Sequence, residues 1–359
     1  MTARNLLLKF HLILGATAAI FLVILGLTGA IIAFENDIDH WLNPGLFYVR
    51  TGSQLLPESE LIQTVEQRFA PARVVSVHIY REPNLVHMMQ TSDRATVFIN
   101  QYTGEILGRR TGPSAAQRII GYIHQIHTHL VPDPRQARRA ADIGERVVEA
   151  GGLVLCLLVP TGLMLWWRVK RAGVKWSAQW FRICFDSHVV LGVYAALFLL
   201  IAAVTGVLVA QENWVYSALH SSSLSPFPKL QSTPAAGAAP ITVDRAGQIA
   251  REALPGISIT DFMLPNGPKG FFAVILRVPE ETSEAAHSYV FIDQFTGRVL
   301  YISSFLKNSP GYRAARFNRS IHTGDVFGTA GHVIMSLSSL ALVVMAITGV
   351  VIWLKKLAV

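Results

Sequence analysis

Four long apolar runs punctuate the chain, at roughly 12–34, 147–167, 188–210 and 331–354. A membrane helix needs about 20 apolar residues, and these runs meet that length. The two longer segments between them, at 36–146 and 211–330, show other patterns. "VFINQYTGEILG" (97–108) and "VFIDQFTGRVL" (290–300) alternate apolar and polar positions on either side of a Gln-aromatic-Thr-Gly turn, which predicts strand, turn, strand. Ahead of them, "PESELIQTVEQRFA" and "ITVDRAGQIAREAL" are apolar at helical spacing, which predicts one amphipathic helix in each segment. The expected fold class is therefore membrane α-helical plus α+β. Its parts are a first span (1–35), an α+β domain (36–146), a second span (147–167) and a loop (168–187), then a third span (188–210), a second α+β domain (211–330) and a fourth span with a short tail (331–359). "SPFPKLQSTPAAGAAP" (225–240) reads as a linker. The first run is too long for a signal-peptide core and shows no clear cleavage site, so it is expected to be a retained anchor.

Charge orients these spans. Arg4 and Lys9 precede the first; Arg168, Lys170, Arg171, Lys175 and Arg182 crowd the loop after the second; Lys355 and Lys356 follow the fourth. The positive-inside rule then puts both termini and that loop in the cytoplasm and both α+β domains outside it, in the periplasm of a bacterial inner membrane. The chain is 51% hydrophobic and 15% charged, against about 25% charged in soluble domains, which agrees with a membrane protein bathed in lipid. Its net charge of +8 follows largely from orientation, so no nucleic-acid partner is expected. Cys156 and Cys184 fall in a span and a cytoplasmic loop, where they cannot staple the external domains, and no Cys-x-x-Cys-His attaches a c-type haem.

Internal repeats run through the whole sequence. "KFHLILG" (9–15) recurs as "DSHVVLG" (186–192), and at the same offset of 177 Thr28-Gly29 matches Thr205-Gly206 and Glu35-Asn36 matches Glu212-Asn213. Thr161-Gly162 matches Thr348-Gly349 and Trp166 matches Trp353 at an offset of 187, while "IHTHLV" (126–131) parallels "IHTGDV" (321–326). The expected unit is span, α+β domain, span, duplicated in one membrane orientation about a pseudo-twofold axis along the membrane normal.

That repeat sorts the twelve histidines. His11 corresponds to His188 at the cytoplasmic ends of spans one and three, and His127 to His322 on the external side, just before spans two and four. A pseudo-twofold axis brings each pair face to face, as axial ligation of a b-type haem requires, and ionisable groups in membrane spans are costly and usually functional. Gly15, Gly192, Gly29 and Gly206 return to the histidine face of their helices and would admit a flat macrocycle or, more plainly, a neighbouring helix. "HQIHTH" adds His124 and His129, dense enough for a metal site, although the plainer reading makes them surface residues flanking one ligand. His332 stands where the repeat has Glu145, and would replace His322 as a ligand or cap a propionate. His40, His78, His87, His220 and His287 read as ordinary structural or surface groups, Trp166, Trp167 and Trp353 as an interfacial belt, Pro160 as a kink, and "RQARR" (135–139) as a solvated basic loop.

With "FHLILG", "LGLTG", "IHTHLV", "PTGLMLWWRVKR", "IHTGDVFG" and "AITGVVIWLKK" in place, and the two Gln-aromatic-Thr-Gly turns between them, the sequence resembles the PepSY-associated transmembrane family along nearly its whole length. The resemblance implies PepSY-like external domains and, from the members that act as haem-containing ferric-siderophore reductases, haem b as cofactor, two groups in all. It supports His11, His127, His188 and His322 as the conducting histidines and a ferric siderophore or other Fe(III) chelate as substrate. About 30 residues face the cytoplasm and carry no Gly-rich dinucleotide fingerprint, so the electron donor is expected to be quinol or a separate cytoplasmic reductase. Two other functions compete: a membrane-anchored module that binds a peptide or protein, and a metal permease that uses the histidines directly.

Overall fold

The computed structural model describes the chain apart from Met1, Asn213 and residues 215–227, 235–236, 278–286 and 358–359. His220 and positions 225–227 and 235–236 of the expected linker lie outside the described residues. Contacts divide the chain into two compact units.

One unit gathers residues 1–35, 118–218 and 315–359. Its helices are α1 (Ala3–Ile32), most of α5 (Ala115–His129), α6 (Arg138–Val169), α7 (Trp180–Tyr194), α8 (Ala196–Ala210), most of α10 (Pro310–Thr323) and α11 (Gly328–Leu357). Three stretches, Ala3–Ile32, Arg138–Val169 and Asp325–Lys356, are long and apolar enough to cross a membrane. A fourth crossing exists if α7 and α8 are one span, bent by 65° at Ala195 within the run read from the sequence as a single span over 188–210. Small residues lie at the bend, where Gly192 admits Met345 of α11, and Ala195 and Ala196 bury against neighbouring spans. Pro160, by contrast, sits inside an α6 that continues to Val169. The apolar core of the unit joins Ala18 and Leu22 of α1, Leu155 and Val159 of α6, Leu199 and Ala203 of α8, and Leu342 and Ala346 of α11.

The other unit combines residues 36–117 with 219–314. Where the sequence suggested two separate α+β domains at 36–146 and 211–330, the strands form one antiparallel sheet in the order β4-β3-β2-β1-β5-β6-β7-β8. Strands β1 (Val74–Ile79), β2 (His87–Thr91), β3 (Ala95–Ile99) and β4 (Ile106–Thr111) come from the first segment, and β5 (Ser258–Met263), β6 (Phe271–Arg277), β7 (His287–Asp293) and β8 (Val299–Ser303) from the second. The halves meet where Val77 faces Phe262 and His78 faces Asp261 across β1 and β5. A meander of four strands has an open edge and buries only one layer; joining edge to edge removes an unpaired edge from each half and merges two small cores. The shared core runs from Leu61 and Val65 of α4 (Glu58–Arg68) through Val77, Val97, Phe262, Val274 and Val290 to Ala246 and Ile249 of α9 (Val243–Ala253). The two helices are also tied directly, because the Asp244 carboxylate accepts from the Glu58 N–H at 2.8 Å and the Ser59 N–H at 3.3 Å, capping α4.

The repeated turns have a structural task. Gln101 donates from Nε2 to the carbonyls of Pro83 and Leu85, and Gln294 does the same to Gly267 and Gly270. The buried amides pin the loop preceding β2 and the loop preceding β6, while Gly104 and Gly297 take the positive φ that closes each turn.

Candidate functional site

Four threonine-glycine pairs in the spans receive four histidines. His11 of α1 places Nδ1 2.9 Å from Thr161 Oγ1 of α6, and its ring lies over Gly162, where a Cβ would stand 3.2 Å from Cε1. His188 of α7 meets Thr348 at 3.2 Å and the Met345 carbonyl at 2.9 Å, over Gly349. His127 of α5 meets Thr28 of α1 at 2.8 Å, over Gly29, and His322 of α10 meets Thr205 of α8 at 3.1 Å, over Gly206. The glycines matter because a side chain would strike the imidazole: at Gly206 a Cβ would lie 2.9 Å from His322 Cε1. Gly29 and Gly206, expected to admit a macrocycle or a neighbouring helix, admit the histidine of a neighbouring helix.

This arrangement favours one tautomer. The Met345 carbonyl can only accept, so His188 donates to it from Nδ1. Each of the four threonine hydroxyls has the carbonyl four residues back within reach, at Ile24, Leu157, Ile201 and Val344, and a hydroxyl that spends its one proton there accepts from Nδ1. A neutral imidazole protonated at Nδ1 has its lone pair on Nε2, and a hydrogen bond from the opposite nitrogen is what orients a metal-bound histidine. No described hydrogen bond occupies Nε2 in any of the four.

Spacing agrees with a shared metal. The rings of His11 and His188 are perpendicular, with centroids 6.4 Å apart. Two imidazoles on opposite sides of one metal, with bonds of about 2.0–2.1 Å, place their ring centres roughly 6 Å apart. Both rings line a cavity of about 240 Å³ whose walls include Gly15, Gly162, Gly192 and Gly349. The residues thus fit a flat group with a metal at its centre. His127 and His322 are near enough for their charges to interact. Thr28 lies 17 residues from His11 on α1, about 26 Å along the axis at 1.5 Å per residue, so the two pairs sit at opposite ends of the helices.

The other histidines separate from this set. His332 directs Nε2 to Asp325 Oδ1 at 2.9 Å, so His322 rather than His332 occupies the Thr205-Gly206 seat. His124 bonds Glu35 at 2.8 Å, a contact that raises its pKa, and His129 turns to Thr128 at 2.6 Å. Among the described residues no three His, Cys, Asp or Glu side chains gather as a metal cluster. His78 pairs with Asp261, His87 with Glu58, and His40 with the Tyr80 hydroxyl.

Two supporting features were not read from the sequence. A Cβ at Gly144 would stand 1.8 Å from the His129 carbonyl oxygen, and one at Gly331 would stand 2.0 Å from that of Gly324. These glycines let α6 and α11 start hard against the ends of α5 and α10, two residues past His127 and His322. They are themselves separated by the repeat offset, 331 − 144 = 187, which was the available signal. Likewise Glu35 reaches His124, and Glu212 reaches Arg319 at 3.8 Å, the partners standing three residues before His127 and His322.

A family model described as the PepSY-associated TM region matches residues 8–356. No curated protein matches the chain. Among solved structures, a Clostridium difficile 630 protein crystallised as a candidate lipoprotein is 10% identical, covers 70% of this chain and 96% of its own, and superposes with a TM-score of 0.29, too low to carry an argument.

Proposed function

The chain belongs to the PepSY-associated transmembrane family, and on that premise we propose that it is a b-type haem protein that carries electrons across a bacterial inner membrane to reduce an Fe(III) chelate. Four histidines, each with Nδ1 on a threonine hydroxyl and its ring over a glycine, leaving Nε2 without a described hydrogen bond, are the observation that carries this reading. His11 with His188 would hold one haem and His127 with His322 a second, within a duplicated arrangement of span, external domain and span. When bound, such a group supplies reversible one-electron chemistry at a potential set by its axial ligands and burial.

The chain's own residues do the rest. Thr161 and Thr348 hold the inner imidazoles, and Thr28 and Thr205 the outer ones; the glycines beneath them keep the rings close to the helix backbones. Cationic loop and tail residues set the inner pair toward the cytoplasm, where quinol or a separate reductase donates. At the outer end one electron converts Fe(III) to Fe(II), which a hard-oxygen siderophore holds less firmly, and the iron is released for uptake. The choice of a ferric siderophore rests on the family resemblance.

A visible spectrum of the purified full chain tests the reading. Reduced-minus-oxidised b-type bands and two haems per chain are expected, with dithionite-reduced protein reoxidised by ferric chelates. Colourless protein from cells with ample haem would leave only an anchored peptide-binding module or a permease.

A further inference from the structure

The inner cavity is nearly twofold in its ligands but not in its charge. Arg4 of α1 and Lys356 of α11 both line it, close enough for their like charges to interact. Among the described residues neither has a carboxylate partner. Arg4 stands seven residues before His11, and the matching position before His188 is Phe181; Lys356 stands seven residues after Gly349, and the matching position after Gly162 is Val169. Phe181 does not line the cavity; the cations fall on the side where α1 packs against α11, and toward α6 and α7 the cavity is lined by the apolar Val169 and Phe185.

Two unpaired cations converging on one edge of an apolar cavity specify an anionic edge in its occupant. Building on the haem reading, we propose that Arg4 and Lys356 bind the two carboxylates of the inner macrocycle and so fix which way round it sits. Ligand symmetry alone leaves two orientations related by half a turn about the line joining His11 and His188. One-sided charge selects the orientation whose carboxylates point to α1 and α11.

The test uses full-length protein lacking the outer ligands (His127→Ala, His322→Ala), stripped of haem and titrated in detergent with haemin or with haemin dimethyl ester, whose carboxylates are blocked. Haemin is expected to bind at least about tenfold tighter than the ester, the loss that follows when a charge-assisted hydrogen bond is removed. Adding Arg4→Gln and Lys356→Gln should bring the two affinities together, whereas Lys9→Gln, which removes a cation of the same helix outside the cavity, should not. Equal affinities before those substitutions overturn the carboxylate clamp while leaving the haem reading intact. An effect of Lys9→Gln as large as that of Arg4→Gln also overturns it, because charge near the membrane surface would then suffice. Failure to bind either compound overturns the haem reading itself. As a second readout, the double cation variant should show sets of shifted haem-methyl NMR signals beyond those of the ferric parent protein; an unchanged pattern in the variant contradicts the orienting role.

Discussion

The four histidines seated on Thr-Gly pairs in the helical unit are satisfied differently from His78 and His87 of the sheet unit. In the sheet unit His78 and His87 lie against the carboxylates of Asp261 and Glu58, at 2.7 and 3.1 Å. In the helical unit His11, His127, His188 and His322 lie against threonine hydroxyls, with no carboxylate within ion-pair distance among the described residues. A carboxylate or a neutral acceptor on Nδ1 can each hold an imidazole whose Nε2 is open to a metal. The group on Nδ1 is thus a poor guide to ligation by itself, and a second histidine facing across a cavity, as His188 faces His11, is a better one.

The sharpest break of that comparison is to remove histidines of each kind. His11→Ala with His322→Ala should abolish the b-type bands at both levels, while His78→Ala, equally a loss of an imidazole, should leave them unchanged. Bands that survive the first pair would assign the ligands elsewhere.

A second contrast concerns where stability resides. Phe262 faces Val77 at the join of the two half-sheets and is 3% exposed. Phe262→Ala should cost the sheet unit about 3–5 kcal/mol, seen as an earlier transition in thermal or denaturant scans of the whole protein. The visible bands should persist through that transition if the helical unit keeps its haem independently, and bands lost in step with the sheet would show the units to be one cooperative body.

Next come the seats beneath the rings. Thr161→Val or Thr205→Val keeps the volume but removes the acceptor, leaving the Nδ1–H unpaired. Substitutions of such orienting groups typically cost about 10–100-fold in metal affinity. Haem retention during competition with an apo-acceptor should fall by that order, against no change for Thr64→Val, whose hydroxyl bonds only its own helix at Glu60.

Much of this was legible because the repeat labelled it. The offset of 177 paired His11 with His188, the parallel "IHT" segments paired His127 with His322, and the offsets of 177 and 187 paired the Thr-Gly positions, since a position that recurs in a fixed register answers to a shared geometry. What could not be read was which Thr-Gly serves which histidine. Gly29 shares a helical face with His11, and one-helix periodicity says nothing of His127 arriving from α5. Edge-to-edge joining of β1 to β5 was also hidden, because alternation along a strand marks its faces and not its neighbours. The bend at Ala195 escaped for a similar reason: hydropathy continues smoothly through it, and packing of Met345 against Gly192 is a tertiary fact.

The smallest effect separates the two halves of the outer level. Glu35 holds His124 where its counterpart Glu212 holds Arg319. The hydrogen bond from Glu35 raises the His124 pKa despite burial. A group whose pKa is raised on folding adds stability that is fully present below its unfolded value, near 6.5, and lost as the pH climbs through the folded one. Both side chains are about two-fifths exposed, so solvent screening trims the contribution to the order of 0.5 kcal/mol. Arginine keeps its charge throughout, so the Glu212–Arg319 side should show no such slope. Melting scans between about pH 5.5 and about pH 9 should therefore show a loss of stability that Glu35→Gln reduces and Glu212→Gln leaves alone. Equal reductions from the two substitutions would mean that the difference between histidine and arginine at these matched positions has no bearing on how α5 and α10 are held.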